Sequence, residues 1–155
     1  TDAPGLIAAL SARGIALAGA SAMVLGAGGT ARGAVWALCD AGARVSVWNR
    51  TPERALALCD ELGGTAVERP VEADLLIQCT AAGMEAGSEL PLVGVPLGSF
   101  QAVVDFVYTE RGSALLAAAE AAGTATVDGL ELLVRQGALS FEQFTGMSAP
   151  LPVMA

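Results

Sequence analysis

"VLGAGGTARGA", residues 24–34, is the stretch that decides the fold. An apolar strand over 22–26 runs into glycines, and a helix over 30–41, closed by Gly42, runs out of them. Between the two lies Gly26-x-Gly28-x-x-Ala31, with Ala27, Gly29 and Thr30 filling the loop. A string of this kind is weak by itself, but strand before and helix after is the context in which it binds a dinucleotide. Gly26 permits the tight turn, Gly28 lets the backbone approach a pyrophosphate, and Ala31 keeps the helix close to the sheet. The free N–H groups at the start of the helix then meet the phosphates. The competing reading is a glycine-rich turn that binds nothing.

Outward from that loop, strand and helix patterns alternate. A helix over 3–13, with Asp2 as its N-cap, precedes the first strand. After it come a strand over 44–48, a helix over 52–62 stopped by Gly63-Gly64, and a weak strand over 66–68. A strong strand follows over 73–79, then a loop over 85–99 rich in proline, glycine and serine, and a strand over 102–107. The chain closes with a helix over 113–122, a strand over 124–127 and a helix over 130–145 ending at Gly146. Continuous apolar strands alternating with helices mean a parallel sheet covered on both faces. Right-handed crossovers make it doubly wound. The expected fold is therefore α/β: a Rossmann-like doubly wound parallel sheet with helices on both faces, one domain over residues 1–155.

A second stretch, "VSVWNRTPER" at 45–54, places two arginines at the start of a helix, where the backbone dipole is already positive. A cation there calls for an anion to meet it. Proteins that bind NAD usually carry a carboxylate at the end of the second strand, to accept hydrogen bonds from the adenosine ribose. This chain has Asn49-Arg50-Thr51 instead. A carboxylate would repel a 2′-phosphate, whereas a guanidinium grips it through two parallel hydrogen bonds. Thr51 suits the N-cap and Pro52 the first helical position, which leaves Arg50 just outside the helix and Arg54 in its first turn. The implied cofactor is NADP. The competing reading has Arg54 solvated beside Glu53 and Arg50 paired with a nearby acid.

Composition narrows the class. The chain has 155 residues, 54% of them hydrophobic, which excludes disorder and allows a real core. No apolar run approaches a membrane span and no signal peptide opens the sequence, so a cytoplasmic protein with no membrane partner is expected. A formal net charge of -8 repels nucleic acid as well as anionic lipid. Every basic residue is arginine; the absence of lysine and histidine removes two common proton carriers. Cys39, Cys59 and Cys79 form no CxxC pair, and with no histidine to help them no metal site is expected; they read as small buried hydrophobes.

The order of several motifs resembles the shikimate dehydrogenase family. These are "TDAPG" at 1–5, "GAGGTARGA", "NRTPERA", "QCTAAGM" at 78–84, "VVDFVY" at 103–108 and "DGLELLVRQGALSFEQFTG" at 128–146. The terminal motif and the NRT motif together are specific; the glycine loop is not. The resemblance runs over essentially the whole chain and implies the family's cofactor-binding half, with the substrate-binding half lying mostly N-terminal to the Thr-Asp pair. It implies NADPH-dependent reduction of 3-dehydroshikimate to shikimate. Asp2 matches the family's catalytic and substrate-binding aspartate, whose usual partner is a lysine from the other half. Tyr108 and Gln136 match residues that reach across the cleft to the substrate. Thr80, Ala81, Phe106 and Gly129 match positions around the nicotinamide end of the cofactor.

Each of these has a plainer alternative. Asp2 could be only a helix cap, Tyr108 a strand-end aromatic in water, and Gln136 a polar residue on the exposed face of the last helix. The chain also departs from the family pattern. Gln78 stands where asparagine is usual, Glu110 where proline is, Leu132 where methionine is, and Phe144 where tryptophan is common. None removes a chemical role, and substrate preference, quinate included, stays open. Two other functions fit parts of the pattern: the cofactor domain of another NADP enzyme such as a glutamyl-tRNA reductase, and a non-catalytic dinucleotide-binding module.

Overall fold

A computed structural model describes residues 2–80, 92, 94–108 and 113–154. Six strands form one sheet: β1 Ser21–Leu25, β2 Arg44–Trp48, β3 Thr65–Ala66, β4 Leu75–Gln78, β5 Ala102–Asp105 and β6 Ala125–Val127. The helices are α1 Asp2–Ala12, α2 Gly29–Asp40, α3 Pro52–Leu62, α4 Ala114–Ala121, α5 Gly129–Thr145 and α6 Leu151–Met154, with a 3-10 turn at Leu97–Ser99. The strand order is β3-β2-β1-β4-β5-β6, and every pair is parallel. The chain thus winds outward from β1 to β3, returns to the other side of β1 at β4, and winds outward again to β6. The winding reverses between β1 and β4, and in open sheets of this kind ligands bind beyond the carboxyl ends of the strands at such a reversal.

The central strands are apolar throughout because both their faces are covered. All residues of β4 and β5 are buried, while β2, nearer the edge, alternates. Side chains alternate across each strand and so divide into two cores. On one face Val24, Ile77 and Val104 meet Leu6 and Leu10 of α1, Leu38 of α2, Leu58 of α3 and Leu132 of α5. On the other, Met23, Leu25, Leu76 and Val103 meet Phe100 and Leu115, Leu116 and Ala119 of α4. The amino edge is tied by Asp74, whose Oδ2 accepts from Ser21 N and Ser21 Oγ, both at 2.7 Å, and whose Oδ1 accepts from Gln101 Nε2 at 3.1 Å.

Several boundaries differ from the sequence reading. Asp2 is the first residue of α1 rather than its cap, and α2 and α5 begin one residue earlier than expected, at Gly29 and Gly129. The weak strand is Thr65–Ala66, displaced toward the double glycine that ends α3. β5 stops at Asp105, two residues short of Val107, because the Asp105 side chain takes the Val107 N–H that a longer strand would offer to its neighbour. The short α6 was not anticipated, since four residues carry no helical period. Most of the loop expected over 85–99 lies outside the described residues. Among the described residues no helix is long and apolar enough to cross a membrane.

Candidate cofactor and substrate site

Gly26 leaves β1 with φ +112°, a conformation that L side chains rarely adopt. Its N–H donates to Trp48 O at 2.7 Å. A Cβ here would lie 3.2 Å from the Cys79 carbonyl and from Thr80 Cγ2. The turn therefore needs glycine for its dihedral and for its closeness to the end of β4. Gly28 then takes the N-cap position of α2, where no side chain caps the helix and no acidic residue occupies its first turn. Among the described residues a Cβ on Gly28 or Gly29 would meet nothing within 4 Å, so no described side chain fills the space at the positive end of α2. Ala27 and Thr30 are half-buried beside it, and Ala31 is fully buried against the sheet. A helix N-terminus left bare in this way fits a pyrophosphate.

At the end of β2, half-buried Asn49 donates through Nδ2 to Thr51 O at 2.9 Å. Thr51 is the N-cap of α3 with Pro52 following it, as expected, but its hydroxyl caps nothing. The reason is local: the Arg54 N–H it would accept is taken by Thr51's own carbonyl at 3.1 Å. Arg50 and Arg54 are both exposed, and neither has a carboxylate partner among the described residues. Pairing of Arg50 with a nearby acid is thus not what the structure has. Arg32, by contrast, is tied to Glu61, which joins α2 to α3. Two unpaired guanidinium groups beside a positive helix end fit a phosphate monoester.

The ends of β4 and β5 hold a feature the motif reading missed. Gln78 and Asp105 are register partners, and both are buried. Gln78 Nε2 donates to Thr80 Oγ1 at 2.9 Å, and Thr80 N donates back to Gln78 Oε1 at 3.3 Å. Asp105 Oδ1 accepts from Val107 N at 2.9 Å and Oδ2 from Ser113 Oγ at 2.5 Å. Burial pushes the Asp105 carboxyl above the usual range, and its bonds from Ser113 and Val107 oppose that rise. Half-buried Phe106 donates its N–H to Gln78 O at 3.1 Å. Beneath it α5 starts so close that a Cβ on Gly129 would fall 2.7 Å from Phe106 O. The available signal was a single acid closing the apolar run "VVD".

The substrate candidates divide between elements. Asp2 opens α1, whose Ala3 faces Gly33 of α2 at 3.9 Å from the position of a Cβ there. Gly5 packs on the α5 backbone, where a Cβ would lie 3.4 Å from Leu132 O and 3.5 Å from Gln136 N. Gln136 is therefore half-buried against α1, one turn from Asp2, and not on an exposed face. Glu131 strengthens this junction: its carboxylate accepts from Arg13 Nη1 and Nη2, at 3.0 and 2.7 Å, and from Arg135 Nε at 2.9 Å. Tyr108 is carried by the β5 exit and is 63% exposed. Ala81 and Glu110 lie outside the described residues. A cavity of about 420 Å³ between α5 and α6, lined by Leu130, Val134 and Leu151 among others, has none of the candidate residues among its described lining. The three free cysteine thiols are all raised by burial, which makes them poor nucleophiles.

Comparison with known proteins draws these features together. The family model described as "Shikimate / quinate 5-dehydrogenase" matches residues 8–84, and "Shikimate 5'-dehydrogenase C-terminal domain" matches 129–155. The chain is 48% identical over 149 residues to a "Shikimate dehydrogenase (NADP(+))" of Thermus thermophilus, covering 95% of this chain and 56% of that protein. Among solved structures it is similar to a shikimate 5-dehydrogenase from another strain of Thermus thermophilus, in complex with NADP(H) and shikimate. That likeness has a TM-score of 0.83 at 44% identity over 99% of this chain and 59% of the other. A ligand-free 5-ketofructose reductase of a Gluconobacter species also has a TM-score of 0.83, at 30% identity over 99% of this chain and 60% of the other. The chain thus spans rather more than half the length of these relatives.

Proposed function

The chain belongs to the shikimate dehydrogenase family, and from that premise we propose that its 155 residues are the NADP-binding domain of a shikimate dehydrogenase. The reaction is the reversible NADPH-dependent reduction of 3-dehydroshikimate to shikimate, a step toward aromatic amino acids, and we place it in the cytoplasm. The observation that carries the cofactor choice is the pair Arg50 and Arg54, exposed and without carboxylate partners among the described residues, at the strand end where an NAD enzyme carries an acid.

A bound NADPH supplies the hydride, and the residues of this chain hold and align it. Gly26, Ala27, Gly28, Gly29 and Thr30 form the turn under the pyrophosphate. Asn49 fixes the carbonyl of Thr51, and Arg50, Thr51 and Arg54 face the 2′-phosphate. Thr80, Phe106 and Gly129 border the nicotinamide end, with Ala81 beside them by resemblance. Asp2, Tyr108 and Gln136 take the substrate hydroxyls. Asp2 orients the substrate rather than donating the proton. The proton for the forming alkoxide then comes from the lysine expected in the family's other half.

Titration with NADP+ and NAD+ tests this reading. A charge-assisted bidentate phosphate contact contributes about 1.5–3 kcal/mol, or roughly ten- to hundredfold in affinity. Arg50→Ala should lose that factor for NADP+ and little for NAD+. An equal loss for both sinks the 2′-phosphate assignment, since only NADP+ carries that group. Likeness to a 5-ketofructose reductase makes the substrate a separate question. Shikimate, quinate and 5-ketofructose compared as substrates of the full-length protein answer it, and shikimate should give the highest kcat/KM.

A further inference from the structure

Gln78 and Asp105 have no part in the chemistry proposed above, yet burying an amide and a carboxyl side by side is costly unless each is bonded. Both end their strands with the same device. A side-chain oxygen accepts the N–H of the residue two places on, Thr80 for Gln78 and Val107 for Asp105, and so turns the chain at the carboxyl edge. The segment after Asp105 is then pinned from three directions. Phe106 N is held by Gln78 O, Val107 N by Asp105 Oδ1, and the Phe106 carbonyl is pressed against Gly129. Ser113, the N-cap of α4, meets the same carboxyl: its hydroxyl donates to Asp105 Oδ2 and accepts from Leu116 N at 3.3 Å.

We propose that Asp105, acting through Val107 N–H and the Ser113 hydroxyl, is a positioning residue for the nicotinamide end of the dinucleotide site. It sets the Phe106 to Tyr108 segment and leaves the phosphate end alone. The inference rests on the NADP-binding reading above. Two strands, β1 and β4, stand between β5 and the β2–α3 junction that carries Arg50 and Arg54. A change at Asp105 therefore acts on one end of the site and spares the other.

The experiment compares NADPH with adenosine 2′,5′-bisphosphate, which has the 2′-phosphate but no nicotinamide. Both are titrated calorimetrically into the full-length protein and into its Asp105→Asn, Ser113→Ala and Ser113→Thr forms. Asp105→Asn should weaken NADPH roughly tenfold, the scale of one lost hydrogen bond to a charged group. Ser113→Ala, the milder change that guards against an unfolded Asp105 variant, should weaken it several-fold. Ser113→Thr keeps the hydroxyl and should restore wild-type binding. The bisphosphate should bind all four alike, and the emission of bound NADPH should shift only in the first two variants. Equal weakening of both ligands, or unchanged NADPH binding in Ser113→Ala and Asp105→Asn, overturns the proposal. A wild-type protein that fails to bind the bisphosphate overturns the NADP reading itself.

Discussion

Gly129 lies so close under Phe106 that a Cβ on it would sit 2.7 Å from the Phe106 carbonyl oxygen and 3.1 Å from its carbonyl carbon. The atoms that would have to move are backbone, already held by Gln78 and Asp105, so they cannot give way cheaply. Gly129→Ala should therefore destabilise the protein by about 1–3 kcal/mol, the usual range for overpacking. Urea unfolding measures it, and a loss below the error of the method would mean that the start of α5 shifts freely.

Arg50 and Arg54 are exposed, so their attraction for an anion is open to screening. The preference for NADP+ over NAD+ should narrow as salt rises from about 0.01 M to about 1 M, over which the Debye length shrinks from about 30 Å to about 3 Å. Titrations of both cofactors across that range show it. A preference independent of salt would place the discriminating contact in a buried site and away from these two side chains.

Asp2 is the one catalytic residue proposed in this chain, and it has no lysine or histidine to work with here. In the full-length protein, Asp2→Asn should cut shikimate oxidation roughly a hundredfold or more, with NADP+ affinity nearly unchanged. The 155 residues alone should bind NADP+ and give no measurable turnover. Robust turnover by them would show that the chemistry has been assigned to the wrong groups.

Three carboxyls give stability a pH dependence of two signs. Arg13 chiefly holds Glu131 below the usual range, with Arg135 adding and burial opposing, and the Ser21 N–H chiefly does the same for Asp74. Their stabilisation is present above the unfolded carboxyl values, about 4, and is lost as pH falls through the lower folded values. Asp105 is raised by burial, so it acts oppositely: stability declines as pH rises from about 4 through its folded value. Urea unfolding between about pH 2 and 7 should show Glu131→Gln flattening the acid limb and Asp105→Asn removing the decline. An unchanged acid limb in Glu131→Gln would mean that Arg13 and Arg135 do not hold that carboxylate in solution.

Much of this was legible in the chain itself. β2 and α3 fall where the pattern put them, because Gly42, Pro52 and the Gly63-Gly64 pair punctuate them without ambiguity. Arg50 and Arg54 stood out because they oppose the helix dipole, a conflict visible without any tertiary contact. The end of β5 was misjudged because "VVDFVY" continues an apolar run, and only a fold can show the Asp105 side chain competing for Val107's N–H. Its pairing with Gln78 depends on strand register, which no local pattern encodes. Gln136 illustrates the same limit. Its polarity suggested solvent, whereas the absent side chain of Gly5 lets α1 close over it.

The reversal of winding between β1 and β4 also bears on how the molecule assembles. β1, α2 and β2 join strands that are near in sequence, but the Ser21–Asp74 bonds that align β1 with β4 close a span of 53 positions. Closing a longer loop costs more chain entropy, and non-local pairings slow folding. The first three strands can therefore condense before the last three dock. The glycine turn lies on the seam where those halves meet, with Gly26 beside Cys79, so a dinucleotide lying across it would act as a clasp, slowing the parting of the halves as well as occupying the site.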